Sequence, residues 1–557
     1  MGVTHAPAGG MLSLLRPATT ASADFAADAA KQEAADAAAL SATAGHPALT
    51  ECQTTAALLT EYADLNPGEQ AEEWAFNAVE RIAECAYAVN EGYDERVEEL
   101  AREARGERAA VALGRFESQG PVTAERLAAL DDETRRLLEW YAAPFPIEWL
   151  FAPERDTFGR ILRKRVVVLF HGPGGLSLGL RDILGADVDI IGIDLDGGAV
   201  ATAVAAGLRV IHADVTALDP ESPALQFVSI IALTPPCQAF TPSGLGKGRY
   251  DAAIDTICRV IWEAGAAAGF LPWEHSESGY APRSGDTWDE VRAPLAELED
   301  VRAGLMAEVI IWPLGMLARL GSNLLECVMV EQSSALPKQI EEALFGELTQ
   351  AGWHTTEAWT LDAVDYGASH RKRRFMTAHR GAETPFVDVV PAAPIPAPTF
   401  AQVVGWPTGR TYLTRGHRPV DPATGRAKGG GSRSADLPST CVTATVYGWA
   451  DSETGETISQ SDIGRLVGFP ADYPWRYIKT RRDDRGVRKL AQLPADAVCP
   501  MVSAAIFGRI LGDARWEDKV RAYVHELYGI DTGATVAAEP EQLNLFAEEP
   551  APTATAA

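Results

Sequence analysis

Cys237 is the residue of this chain best placed to do chemistry. It stands in Thr234-Pro235-Pro236-Cys237-Gln238-Ala239-Phe240, directly after the apolar run Phe227-Val228-Ser229-Ile230-Ile231-Ala232-Leu233. That run is short, rich in β-branched residues and closed by two prolines, so it predicts a buried strand that ends abruptly. The prolines stiffen the exit and hold the thiol just beyond the strand's carboxyl end, the rim at which open α/β sheets bind ligands. A partly exposed thiol can ionise and attack there, whereas a core thiol is a small apolar filler.

Four further apolar runs deliver chemistry-bearing groups in the same way. Val166-Val167-Val168-Leu169-Phe170 leads into His171-Gly172-Pro173-Gly174-Gly175-Leu176-Ser177, where glycines allow a tight turn and close approach of backbone to a ligand. Ser177 stands where the last glycine of the dinucleotide fingerprint would fall, so that fingerprint is not matched. Ile190-Ile191-Gly192-Ile193 ends in Asp194-Leu195-Asp196, an acid about 20 residues past the glycine loop, the position suited to ribose hydroxyls. Leu208-Arg209-Val210-Ile211 leads to Asp214-Val215, and Leu324 to Val330 leads to Glu331. A single carboxylate at a strand end is commonly a helix cap or a solvated turn residue. Five strand ends converging on one rim predict a ligand-binding α/β sheet.

Taken in order, these segments resemble the S-adenosylmethionine-dependent cytosine-5 DNA methyltransferases. His171 to Gly175 resembles the cofactor loop, Pro236-Cys237-Gln238 the catalytic segment, and Glu331 the glutamate of the Glu-Asn-Val motif. Tyr366-Gly367-Ala368-Ser369-His370-Arg371-Lys372-Arg373-Arg374 resembles the segment carrying substrate-contacting arginines. Leu466-Val467-Gly468-Phe469-Pro470 resembles the Leu-x-Gly-Phe-Pro segment, and Asp496-Ala497-Val498-Cys499-Pro500 the final Asn-Ala-Val-Pro-Pro that returns to the cofactor. The resemblance spans residues 160 to 515. It implies a Rossmann-like class I methyltransferase sheet (α/β) with a small irregular target-recognition region and an added N-terminal helical segment. It also implies cofactor-binding roles for Phe170, Gly172, Gly174, Gly175, Asp194, Leu195, Asp214, Val215, Pro236 and Asp496, with no metal.

The implied reaction begins when the Cys237 thiolate adds to carbon 6 of a cytosine flipped out of the duplex. Glu331 stabilises the ring at nitrogen 3, and an arginine holds the base carbonyl or a phosphate. An ungapped match to the tyrosine-glycine start selects Lys372 and Arg374 for that role, and a one-residue shift selects Arg371 and Arg373. Departures from the family pattern are Val168 for aspartate, Leu233 and Thr234 for glycines, Gln332 and Ser333 after the glutamate, His370 for glutamine and Asp496 for asparagine. The same motifs occur in a transfer-RNA methyltransferase subfamily, and a binding homologue with weakened turnover would share the fold. Retention of Cys237 and Glu331 favours an enzyme, and the Arg/Gly-rich interval 385–435 favours double-stranded DNA.

The chain has 557 residues, 46% of them hydrophobic, enough for more than one domain. Its formal charge of −28 argues against a protein that coats DNA broadly and leaves room for a local basic cleft built from Lys247, Arg249, Arg371 to Arg374, Arg410 to Arg433 and Lys479 to Lys489. Seven cysteines without a C-x-x-C pair suggest neither structural zinc nor a disulfide framework, which fits a reducing cytoplasm. No apolar run reads as a membrane span and no signal peptide is recognisable. The expected organisation is an Ala-rich disordered leader (1–45), a helical accessory region (46–150), a catalytic core (155–380, with an insertion at 265–300), a target-recognition region (381–455), the rest of the core (456–530) and a disordered tail (531–557), all in a monomer. Within the tail, Gln542-Leu543-Asn544-Leu545-Phe546 resembles the peptide by which bacterial proteins dock on the DNA sliding clamp, with Gln542, Leu543, Leu545 and Phe546 as the contacts.

Overall fold

A computed structural model describes residues 40, 42–157, 161–241, 246–269, 287–320, 324–380, 387–414, 431–477 and 486–533. Most of the leader, residues 415–430 of the Arg/Gly-rich interval, the basic stretch 478–485 and the clamp-like peptide lie outside the described residues. The chain divides into two compact units, residues 1–151 and 152–557.

The first unit is helical. Helices α1 (Pro47–Leu65), α2 (Glu69–Glu91) and α3 (Asp94–Ser118) share a core of Leu49, Cys52, Ala56, Leu59, Ala78, Ile82, Cys85, Leu100 and Ala104. Alanines at the crossings let the helices approach closely. Arg81 and Arg96 tie α2 to α3 through Glu107, Glu103 and Glu84. A fourth helix, α4 (Asp132–Ala142), is capped by Asp131, whose carboxylate accepts the N–H groups of Glu133 and Thr134.

The second unit is built on a seven-stranded sheet: β1 (Lys164–Leu169), β2 (Val188–Asp194), β3 (Val210–His212), β4 (Val228–Leu233), β5 (Cys327–Ser333), β6 (Thr355–Asp362) and β7 (Lys372–His379). The strand order is 3-2-1-4-5-7-6, and β7 alone runs antiparallel, between β5 and β6. Strands β1 and β4 are buried nearly throughout, as expected for parallel strands covered on both faces. Val166, Val168, Ile230, Ala232 and Met329 belong to a core shared with Met501, Val502, Ile506 and Phe507. Those residues come from a helix at Pro500–Leu511.

Strand register sets the functional rim. Leu169 pairs with Ile193 on one side and Leu233 on the other, and Leu233 pairs with Val330. The next residue of each strand therefore falls in one row: Asp194, Phe170, Thr234, Glu331. A second, three-stranded antiparallel sheet joins β8 (Thr411–Leu413), β9 (Ser432–Ser434) and β10 (Ala450–Asp451) in the order 10-8-9. Its core stacks Phe400 on Tyr412 at 3.9 Å between ring centroids, with Trp449 beside them. It falls within the interval expected to read the target.

Two stretches, Val301–Ala318 and Leu490–Leu511, are long and apolar enough to cross a membrane, contrary to the expectation from sequence; 72% and 78% of them, respectively, is buried within the protein. They are apolar because they pack against the core.

Candidate active site

The sheet's carboxyl rim opens into a cleft of about 1190 Å³. One end is built by the glycine loop. Phe170 leaves β1 with φ 59°, the sole non-glycine residue at positive φ among the described residues, and its carbonyl accepts the Thr234 hydroxyl at 2.8 Å. Such a conformation persists only where surrounding bonds enforce it. Asp194 holds the loop from β2, its two carboxylate oxygens accepting the N–H groups of Gly172 and Asp196, each at 2.7 Å. Gly175 is required by space: an added Cβ would lie 1.9 Å from the Val498 carbonyl oxygen, so the segment after Asp496 closes directly on the loop. His171 is buried beneath it, its Nδ1–H donated to the Gly172 carbonyl and its Nε2 accepting the Ser177 hydroxyl at 2.8 Å. Burial pushes its imidazole down to about 4, so it is neutral at physiological pH.

These residues fit a nucleoside-bearing cofactor. Leu195 is an apolar side chain left 62% exposed beside Asp194 at the cleft wall, available to cover a flat ring. Asp214 uses Oδ1 on the Thr216 N–H and hydroxyl, which leaves Oδ2 as an acceptor.

The other end carries the reactive groups. Cys237 is half-buried at the exit of β4, and burial raises its thiol. Arg373 and Arg371 pull the thiol back toward ionisation, while Glu331 and Asp496 oppose it. Gln332, fully buried, braces this exit by donating its amide N–H to the Pro235 carbonyl at 3.2 Å. Glu331 is also buried, with its carboxyl raised by desolvation and lowered in part by Arg373. Arg373 Nε lies 3.0 Å from Glu331 Oε1 without hydrogen-bond geometry, and neither atom has a hydrogen-bond partner. Arg371 donates Nη1–H to the Ala495 carbonyl at 2.7 Å, and its Nε also has no partner.

The arginines correct the ungapped match. Lys372 is exposed and Arg374 is clamped by Glu341 at 2.6 and 2.7 Å; neither lines the cleft. Arg371 and Arg373 do. The reason is alternation: β7 pairs Phe375 with Glu331, so Arg373, two residues away, shares the glutamate's face. Arg374 pairs with Gln332 and points to the opposite face. Two other cations expected in a basic cleft are neutralised, Lys247 by Glu299 and Arg410 by Asp451 and Glu453.

Asp289, Arg292, Arg302 and Glu308 also line the cleft, and sequence reasoning missed them as site residues. Residues 287–307, the far part of the expected insertion and the segment leading out of it, supply most of that wall. Arg292 meets Glu308, 1% exposed, through two hydrogen bonds of 2.8 and 2.9 Å. A lone carboxylate heading the apolar run Val309-Ile310-Ile311-Trp312 was the available signal, since a buried acid needs a partner.

Sheet order, glycine loop and acidic rim together define a Rossmann-like methyltransferase fold. In fold, and in the order of its rim residues, the chain resembles the cytosine-5 DNA methyltransferases. Similar solved structures include S. pombe Dnmt2 methyltransferase (15% identity, 63% of this chain and 99% of that one, TM-score 0.40). A Spodoptera frugiperda DNMT2 mutant gives 13% identity, coverage of 62% and 99%, and a TM-score of 0.38. A putative DNA modification methyltransferase encoded within an E. coli prophage gives 14%, 63% and 99%, and 0.34. No family model and no curated protein sequence matches the chain.

Proposed function

We propose that this protein is an S-adenosylmethionine-dependent cytosine-5 methyltransferase acting on double-stranded DNA. The observation that carries the reading is one cleft that holds a half-buried thiol, a buried Glu331 paired with Arg373 at 3.0 Å, and the buried Arg371, whose Nε has no hydrogen-bond partner. Buried polar atoms without partners are rare and mark places where a ligand completes the hydrogen bonding. A pyrimidine carrying a ring nitrogen and a carbonyl supplies both kinds of partner.

Phe170, Gly172, Asp194, Leu195, Asp214 and Val215 line the cofactor end, and Gly174 and Gly175 shape the loop beside it. S-adenosylmethionine, when bound, supplies an electrophilic methyl group. Cys237 attacks carbon 6 of the base. Glu331, its carboxyl raised by burial, shares a proton with ring nitrogen 3 and so takes up the charge that the addition creates. Arg373 and Arg371 favour the thiolate and are suited to hold the base carbonyl. The enamine formed at carbon 5 is the nucleophile for the methyl group.

The experiment offers methyl-labelled S-adenosylmethionine with a mixture of duplex DNA and transfer RNA to the wild type and to Cys237→Ser. Label should enter DNA with the wild type alone, and duplex containing 5-fluorocytosine should trap an adduct mapping to Cys237. Label confined to transfer RNA would overturn the substrate. Normal turnover by the serine variant would overturn the mechanism.

A further inference from the structure

Once carbon 5 carries both its original hydrogen and the new methyl group, the product forms only if a base removes that hydrogen. The roles of Cys237, Glu331, Arg371 and Arg373 leave this step without an acceptor. Most carboxylates of the cleft are engaged. Asp194 holds two backbone N–H groups, Asp196 caps Ala199, and Asp214 caps Thr216. Glu308 is locked to Arg292, and Glu331 faces Arg373.

Asp496 differs from them in three respects. It stands at the C-terminal end of the helix Gly486–Asp496, exposed to the cleft. Its hydrogen bonds come from two neutral side-chain amides, Oδ2 accepting from Gln492 Nε2 at 2.9 Å and Oδ1 from Gln238 Nε2 at 3.3 Å, while Arg371 and Arg373 act on its charge without bonding it. Gln238 directly follows the nucleophile, so its hydrogen bond ties Asp496 to the cysteine's segment, and the Asp496 charge acts on the Cys237 thiol. A carboxylate that bonds only neutral side-chain amides and is open to the cleft keeps lone pairs free for a proton, whereas Asp194, Asp196 and Asp214 are tied into the backbone of their turns and Glu308 is locked to a guanidinium. Burial raises the Asp496 carboxyl, offset in part by Gln492, Arg371, Gln238 and Arg373, and the net rise strengthens it as a base.

We infer that Asp496 is the general base that takes the carbon 5 proton, an inference that rests on the methyltransferase reading above. The addition leaves the cysteine and the new methyl group on opposite faces of the ring, so the hydrogen lies on the cysteine's face. The Asp496 carboxylate forms the O–H bond. The C5–H pair becomes the C5=C6 double bond, the C6–S bond breaks, and its electron pair leaves with Cys237 as thiolate. The protonated Asp496 then returns its proton to solvent. An asparagine at this position could hold a neighbour but could not accept the proton, so the aspartate is a chemical departure from the family pattern.

The test compares wild type with Asp496→Asn on mixed-sequence duplex DNA carrying tritium at cytosine carbon 5 and with methyl-labelled S-adenosylmethionine. General bases contribute on the order of 10²-fold or more. The expected result is first-turnover methyl transfer near the wild-type rate, with tritium release slowed about 100-fold. A methylated protein–DNA adduct that survives denaturation should accumulate. Trapping by 5-fluorocytosine DNA needs no proton removal and should be unchanged, and calorimetry should find S-adenosylmethionine affinity retained. Equal loss of methyl transfer and tritium release, weakened cofactor binding, or unslowed tritium release would each overturn the inference. Failure of the wild type itself to form the 5-fluorocytosine adduct would instead overturn the underlying reaction.

Discussion

Arg373→Ala tests both the arginine register and the electrostatics of the thiol. The guanidinium lies 3.0 Å from Glu331 Oε1, with side-chain exposures of 14% and 7%. At an effective dielectric near 20, opposite charges at that distance attract by about 5 kcal/mol. Removing one partner of such a buried pair typically costs about 3–5 kcal/mol. Glu331 can avoid part of that cost by taking up a proton, because its carboxyl, already raised by burial, rises further without Arg373. Linkage gives the sign. A carboxyl raised above its unfolded value loses stability as pH rises toward the folded value, by at most about 1.4 kcal/mol per pH unit. The stability gap between variant and wild type should therefore widen from pH 5 to pH 7. The thiol also loses the strongest group favouring its ionisation. Turnover should fall by roughly 10²–10³-fold, the effect of deleting one electrostatic stabiliser. Denaturant melts at several pH values, methyl transfer and calorimetric S-adenosylmethionine binding check the three parts. Arg374→Ala, which breaks contacts with Glu341 and Thr360 outside the cleft, is the control and should keep near wild-type turnover. A dead Arg374→Ala beside an active Arg373→Ala, or a gap that does not change with pH, would refute the reasoning.

Gly175→Ala drives a Cβ to 1.9 Å from the Val498 carbonyl and should cost about 1–3 kcal/mol together with cofactor affinity, read by melting and calorimetry. His171, held near 4 by burial, contributes stability present above its unfolded value near 6.5 and lost as pH falls toward 4, about 3 kcal/mol over that window. His171→Gln should be less stable than wild type at pH 7, with the difference shrinking in melts at pH 5.5 and 4.5. Leu545→Ala with Phe546→Ala should abolish capture of a bacterial sliding clamp by this 557-residue chain; equal recovery would leave the peptide without that partner.

The candidate site's rim was legible in sequence because it sits at chain punctuation. Short β-branched runs must be buried, and the residues after them must form the turn at the sheet's carboxyl edge. Cys237, Glu331, Asp194 and the glycine loop could therefore be placed before any contact was known. Their alignment in a single row was not legible, because it depends on hydrogen-bond register between strands separated by tens of residues. The arginines show the limit most directly. A run of four consecutive cations carries no sign of which face is buried, and Arg371 and Arg373 were selected only when β7 entered antiparallel beside β5 and set Phe375 opposite Glu331. Residues 287–307 carry no motif, so their place on the cleft wall depends on where the helices around them pack. Sequence alone determined which groups reach the rim, since local patterning ends the strands there. Tertiary structure decided which of their neighbours face one another, since a pleated strand sends alternate side chains to opposite faces and only the pairing of strands says which face is the site.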